Sequence, residues 1–154
     1  MSKRLKITID GQALYADLCE GEAPGAVAAL ERAGGFESVL FAADVCYGEL
    51  TFATPASDYW DEQNVREETL PGDVTFYNDW SAVCIFTQRM EQFAPGAKIA
   101  QVRSDDLPAF QELYARVWRR QGARLRCEVV ERDDATGTER HLGPATTPRR
   151  VAAP

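Results

Sequence analysis

Two alternating apolar segments meet at an Asp-Gly pair near the N-terminus, and no other feature of this 154-residue chain restricts its fold as strongly. Leu5, Ile7 and Ile9 fall at every second position, Asp10-Gly11 interrupts, and Leu14, Ala16 and Leu18 resume the period. A period of two sends successive side chains to opposite faces of a strand. Asp-Gly between such runs accepts the positive φ angles of a two-residue turn, so the chain is expected to open with a half-buried hairpin.

The same logic extends along the chain. Pro24 and Gly34-Gly35 bracket a helix whose Val27 and Leu30 face inward, with proline in the first turn and glycine past the last. Residues 38–54 are β-branched and aromatic with Gly48 inside them, which fits two strands joined near Gly48 or one bent strand. Residues 55–69 are polar and acidic and are expected to form a long loop. Pro71-Gly72-Asp73 then opens a strand with Val74 and Phe76 on one face and Thr75 and Tyr77 on the other, and the polar run 78–81 returns the chain into a second strand. A further short strand, 97–102, follows Pro95-Gly96.

A second helix is capped by Ser104 or Asp105, carries Pro108 in its first turn and ends at Gly122. Phe110, Tyr114, Val117 and Trp118 recur on it at helical spacing, the pattern of a core-facing stripe. Leu125, Cys127 and Val129 alternate as a last strand. From Arg132 the periodicity stops, so residues 1–131 are expected to form one domain and 132–154 a polar C-terminal tail. Many short strands and two helices describe a mainly β protein, a small barrel or sandwich with helices covering its ends.

Charge and composition exclude several functions. A net charge of −7 argues against a nucleic-acid groove, which needs a clustered positive field, and weakly repels anionic membranes. The basic N-terminus runs into an alternating strand and not an apolar stretch, so neither a signal peptide nor a membrane span is expected, and a cytoplasmic address follows by default. Cys19, Cys46, Cys84 and Cys127 form no C-x-x-C pair and are expected to be free, mostly buried thiols. The one histidine, His141, lies in the tail, which disfavours Ser-His and Cys-His chemistry and leaves no zinc ligand set; no metal and no cofactor is expected.

The order strand, tight turn, strand, and then ALYADLCEGEAPGAVAAL (residues 13–30) resembles the start of cyclophilins. Beyond it, Tyr47-Gly48-Glu49, then Pro71-Gly72-Asp73, then an amphipathic helix and strand are similar to an uncharacterised bacterial family of cyclophilin-like barrels, over residues 5–131. That resemblance implies a cyclophilin-like closed β-barrel with two covering α-helices. Prolyl isomerases of the cyclophilin family carry a catalytic arginine after the first helix and a Q-G-G-D segment. This chain has no arginine between Arg32 and Arg66 and no such segment. Polarising a prolyl amide needs a fixed cation and donors, so that activity lacks its chief residue here.

Four residues stand out as ligand-binding candidates. Glu49 follows the kink at Gly48; turned toward a barrel pocket its carboxylate would bind a cation or act as a base, and turned the other way it would meet water. Tyr47 flanks the same kink. Tyr77 and Trp80 are amphipathic aromatics that suit a pocket wall or a subunit contact equally. Asp73 is read as fixing the strand entrance through local backbone bonds, and Cys84 as buried. Acidic residues gather between Glu37 and Asp79, and arginines at 116, 119, 120, 124 and 126; the split permits acid-to-base docking between copies and so favours homo-oligomers slightly, while a solvated charged face is the plainer reading. The expected function is small-molecule binding in a barrel pocket, with no catalytic residue assigned. The alternatives are an accessory subunit of an amide-hydrolysing assembly, by fold analogy, and weak prolyl isomerisation.

Overall fold

Asp10 (φ 50°) and Gly11 (φ 78°) both adopt left-handed backbone, the geometry of a type I′ hairpin turn. They join β1 (Ser2–Ile9) to β2 (Gln12–Leu18) in a computed structural model that describes residues 2–43, 47–56, 63–144 and 149–150. Leu5, Ile7 and Ile9 point into the core and the intervening residues point out, as the period requires. Helix α1 (Pro24–Ala33) follows, with proline in its first turn and Ala26, Val27, Ala29 and Leu30 buried.

The strand-rich region after α1 forms two strands and not one bent strand. β3 (Phe36–Ala42) and β4 (Glu49–Ala53) pair antiparallel, and Gly48 takes φ 96° just before β4. Cys46 lies outside the described residues. β6 (Asp73–Tyr77) and β7 (Ala82–Phe86) form the expected hairpin, joined by a single 3-10 turn over Asn78–Trp80 that ends at Ser81 in left-handed backbone.

Two elements depart from the sequence reading. Within the expected long loop, residues 65–69 form strand β5 (Val65–Thr69); residues 57–62 lie outside the described set. Four of the five β5 residues are exposed, so no apolar alternation marks the strand; backbone pairing holds it, with side-chain bonds from Thr69 to the Met90 carbonyl and from Gln92 to the Arg66 carbonyl. Its partner is the first half of β8 (Met90–Gln101), which runs unbroken through Pro95-Gly96, where the sequence pattern indicated a turn. The register of its pairing with β5 shifts there, from Arg66 opposite Gly96 to Glu68 opposite Glu91.

Helix α2 (Leu107–Arg119) starts after Asp106, without a side-chain cap from either expected residue. It buries Phe110, Leu113, Tyr114 and Val117, whereas Trp118 is 42% exposed and lies outside the core stripe. β9 (Ala123–Arg132) then pairs with β1 on one side and β3 on the other. That double pairing closes an eight-stranded antiparallel barrel in the order β9-β1-β2-β8-β6-β7-β4-β3. Eight strands leave an interior that side chains fill, and Leu5, Ile7, Leu50, Phe52, Val83 and Ile99 are among those that fill it. No helix among the described residues is long and apolar enough to cross a membrane.

The described part of the polar C-terminal segment turns back along the barrel. β10 (Glu139–His141) pairs with β9, and a two-residue β11 (Arg149–Arg150) lies parallel to β3. Asp134 reaches Arg4 at 2.6 Å and Arg103 at 3.0 Å, and these donors hold its carboxyl below the usual range. Cys84 and Cys127 are buried free thiols and Cys19 is half-buried, in line with the expectation for those three.

Candidate functional site

The alternation that builds the barrel decides where Glu49 goes. Leu50 and Phe52 are fully buried in the interior, so Glu49, offset by one residue, projects from the outer face beside its ladder partner Phe86. It is only 8% exposed, because that face is covered. Its carboxylate therefore meets neither an interior pocket nor bulk water. Phe86, Cys84 and Tyr77 form a small second core on this outer face, packed against Met90 and Ala94 of the overhanging half of β8.

Tyr47 is 61% exposed and leans on α2, edge-on to Tyr114 at 5.4 Å and to Trp118 at 5.7 Å. Tyr77 lies at the other end of the sheet. Its hydroxyl donates to Gln92 Oε1, and its ring rests on Gly96, where a Cβ would come within 2.8 Å of Tyr77 Cε1. Trp80, 54% exposed, stands over it with the ring centroids 5.2 Å apart and the planes tilted by 49°. Between them and Pro95-Gly96 is a cleft of about 50 Å³ that Val65 and Phe76 also line.

Of the four candidates the structure thus brings only Tyr77 and Trp80 into ring contact; Tyr47 packs on α2 and Glu49 lies beside Phe86. Glu49 pairs with Phe86 at one end of the β4–β7 ladder, and Tyr77 pairs with Ala82 at the other. Four residue steps separate those ends, about 13 Å at the usual strand rise. Asp73 has the structural role expected of it: it accepts from the Leu70 N–H at 2.9 Å and pairs with Lys98 at 2.9 Å, beside Gly72 at φ 90°.

Larger clefts lie elsewhere. One of about 350 Å³ opens on the outer face of β1, β9 and β3, with Arg124, Arg126, Glu37 and Thr8 on its walls. Another of about 400 Å³ lies at the end of α2, between Arg116, Arg120 and Gln121. Asp10 lines both. The sequence shows the arginine cluster, but not that the Asp10-Gly11 turn stands within it, since that contact is made only when the barrel closes.

Neither Cys19 nor Cys127 is poised as a nucleophile. Burial pushes the Cys127 and Cys19 thiols up, away from the thiolate, and His141 Nδ1 lies 2.7 Å from Glu128. Among the described residues no group of three or more His, Cys, Asp or Glu side chains could hold a metal ion.

The fold recurs in solved structures. The solution structure of the hypothetical protein AF2241 from Archaeoglobus fulgidus is 18% identical with a TM-score of 0.61, over 82% of this chain and 93% of that one. The structure of McbB in complex with tryptophan is 19% identical with a TM-score of 0.70, over 97% of this chain and 48% of that one. This chain therefore spans about half the length of McbB. At such identities the likeness is one of fold. No family model matches the chain, and no curated protein matches it by sequence.

Proposed function

We propose that this chain is a cytoplasmic, cyclophilin-like barrel protein that binds a small organic molecule in the cleft beside the Tyr77–Trp80 pair, on the outside of the barrel. The observation that carries this reading is the packed pair of those rings, 5.2 Å apart, forming one wall of a largely apolar cleft. Tyr77 is held in advance by Gln92 and Gly96, so little ordering is left for binding to do. Trp80 is 54% exposed, and its indole suits contact with a planar group at the mouth of the cleft. A cleft of about 50 Å³ takes a small apolar end, and the rest of the ligand lies along Trp80. McbB, a neighbour in fold, is in complex with tryptophan, which supports an aromatic ligand for a barrel of this shape.

In this reading the barrel domain, residues 1–131, carries the site, and the described part of the segment 132–154 braces it. Tyr47 and Glu49 serve a separate surface. The test is thermal unfolding of the full chain with indole and with L-tryptophan. A ligand present at 100 times its Kd adds about 2.7 kcal/mol to stability. Trp80→Ala should abolish the rise in melting temperature and Glu49→Gln should leave it intact. An unchanged rise in Trp80→Ala, or no rise with either compound, would refute the proposal.

A further inference from the structure

The cations of this barrel are treated unequally. Lys3, Arg4, Lys6, Lys98, Arg103 and Arg132 each lie 2.6–3.2 Å from a carboxylate. Arg116, Arg120 and Arg124 make no ion pair among the described residues, and the Arg126 pair with Glu128 is long, at 3.8 Å. These four arginines line two adjoining clefts. On β9, Arg124 and Arg126 point outward because Leu125 and Cys127 fill the core. Arg116 lies in the last turn of α2 and Arg120 is the extended residue that caps it, its N–H bonded to the Arg116 carbonyl, and both line the second cleft.

The clefts meet at Asp10 and measure about 350 and 400 Å³, the size of small-molecule sites. Asp10 and Glu37 also line them, which leaves the lining with a net charge of +2. In a chain of net charge −7 that is a local reversal of sign. The Arg126 guanidinium is seated as well: it occupies the space that a Cβ at Gly35 would fill.

We propose that this trough, between the end of α2 and the outer face of β9, binds a small dianion through phosphate or paired carboxylate oxygens. Guanidinium groups grip such oxyanions in a planar, two-pronged fashion that a lysine cannot reproduce. The site is separate from the Tyr77–Trp80 cleft, and either proposal can fail without the other.

The experiment is a titration of the full chain, followed by backbone amide chemical shifts, with inorganic phosphate in one arm and malonate in the other. Sodium chloride keeps the ionic strength constant. Saturable shifts are expected at Asp10, Gly122 and Arg124 in at least one arm, and the arm that saturates at lower concentration identifies the preferred oxyanion. The double variant Arg120→Gln, Arg124→Gln should weaken apparent affinity tenfold or more. Arg124→Lys, which keeps the charge, should weaken it severalfold, and Gly35→Ala should weaken it by displacing Arg126. Shifts that rise linearly, or that survive the double variant, would overturn the proposal. So would variants that turn a dimer into a monomer in sedimentation without any anion effect, because the trough would then be an acid–base contact between copies.

Discussion

Replacing Glu139 by glutamine tests how firmly the C-terminal segment is tied to the barrel. Glu139 sits at the centre of three donors: Lys6 Nζ at 2.6 Å, Arg132 Nη1 at 2.7 Å and the Tyr15 hydroxyl. Burial is the strongest single influence on its carboxyl and opposes ionisation, but the three donors together outweigh it and hold the group down to about 2 from an ordinary 4.5. At about 1.4 kcal/mol per pH unit, such a group favours the folded state by roughly 3 kcal/mol when ionised. The side chain is 20% exposed, and solvent screening at that edge reduces the figure to roughly 2 kcal/mol. Because the folded group is the stronger acid, the contribution is complete above the unfolded value, near 4.5, and fades as pH falls toward about 2.

Urea unfolding of both proteins at pH 7, 4 and 2.5 measures this directly. Glu139→Gln should be less stable by roughly 2 kcal/mol at pH 7, and the gap should narrow steadily toward the lowest pH. A gap of the same size at every pH would mean that packing and not charge is lost, and no gap at pH 7 would refute the network's role altogether.

Three further substitutions probe the outer face. Asp73→Ala removes the acceptor for Leu70 and the partner of Lys98, and should cost about 2–3 kcal/mol in urea unfolding without changing indole binding; lost binding at unchanged stability would make Asp73 a ligand contact. Thr75 is fully buried and its hydroxyl has no hydrogen-bond partner among the described residues, so Thr75→Val should be neutral or stabilising by about 1 kcal/mol, and a clear loss in the same assay would contradict that. Gly96→Ala presses a methyl group onto the Thr75 side chain and the Tyr77 ring, and should cost about 1–3 kcal/mol and weaken indole binding; a neutral result would show that Tyr77 is not held as described.

The parts of this fold legible in the sequence are those in which a turn residue and a two-residue period agree. Asp10-Gly11 and Pro71-Gly72 each set a strand boundary, and the flanking alternation names the inward residues. Tyr77 and Trp80 were legible as neighbours because one short turn joins them. Glu49 was not legible in this way. It starts a strand after a kink, and a shift of one residue there exchanges inside for outside. β5 carries no alternation because neither of its faces joins the main core, and Pro95-Gly96 has the composition of a turn while serving as a bend within a strand. The arginine trough draws on residues more than a hundred positions apart, so only closure of the barrel by β9 brings its walls together.

The central claim, a ligand held beside the Tyr77–Trp80 pair outside the barrel, is tested most directly by the indole N–H resonances of Trp80 and Trp118 during an indole titration. Trp80 should shift saturably while Trp118, on α2, stays in place. A stationary Trp80, or a saturable shift confined to Trp118, would contradict it.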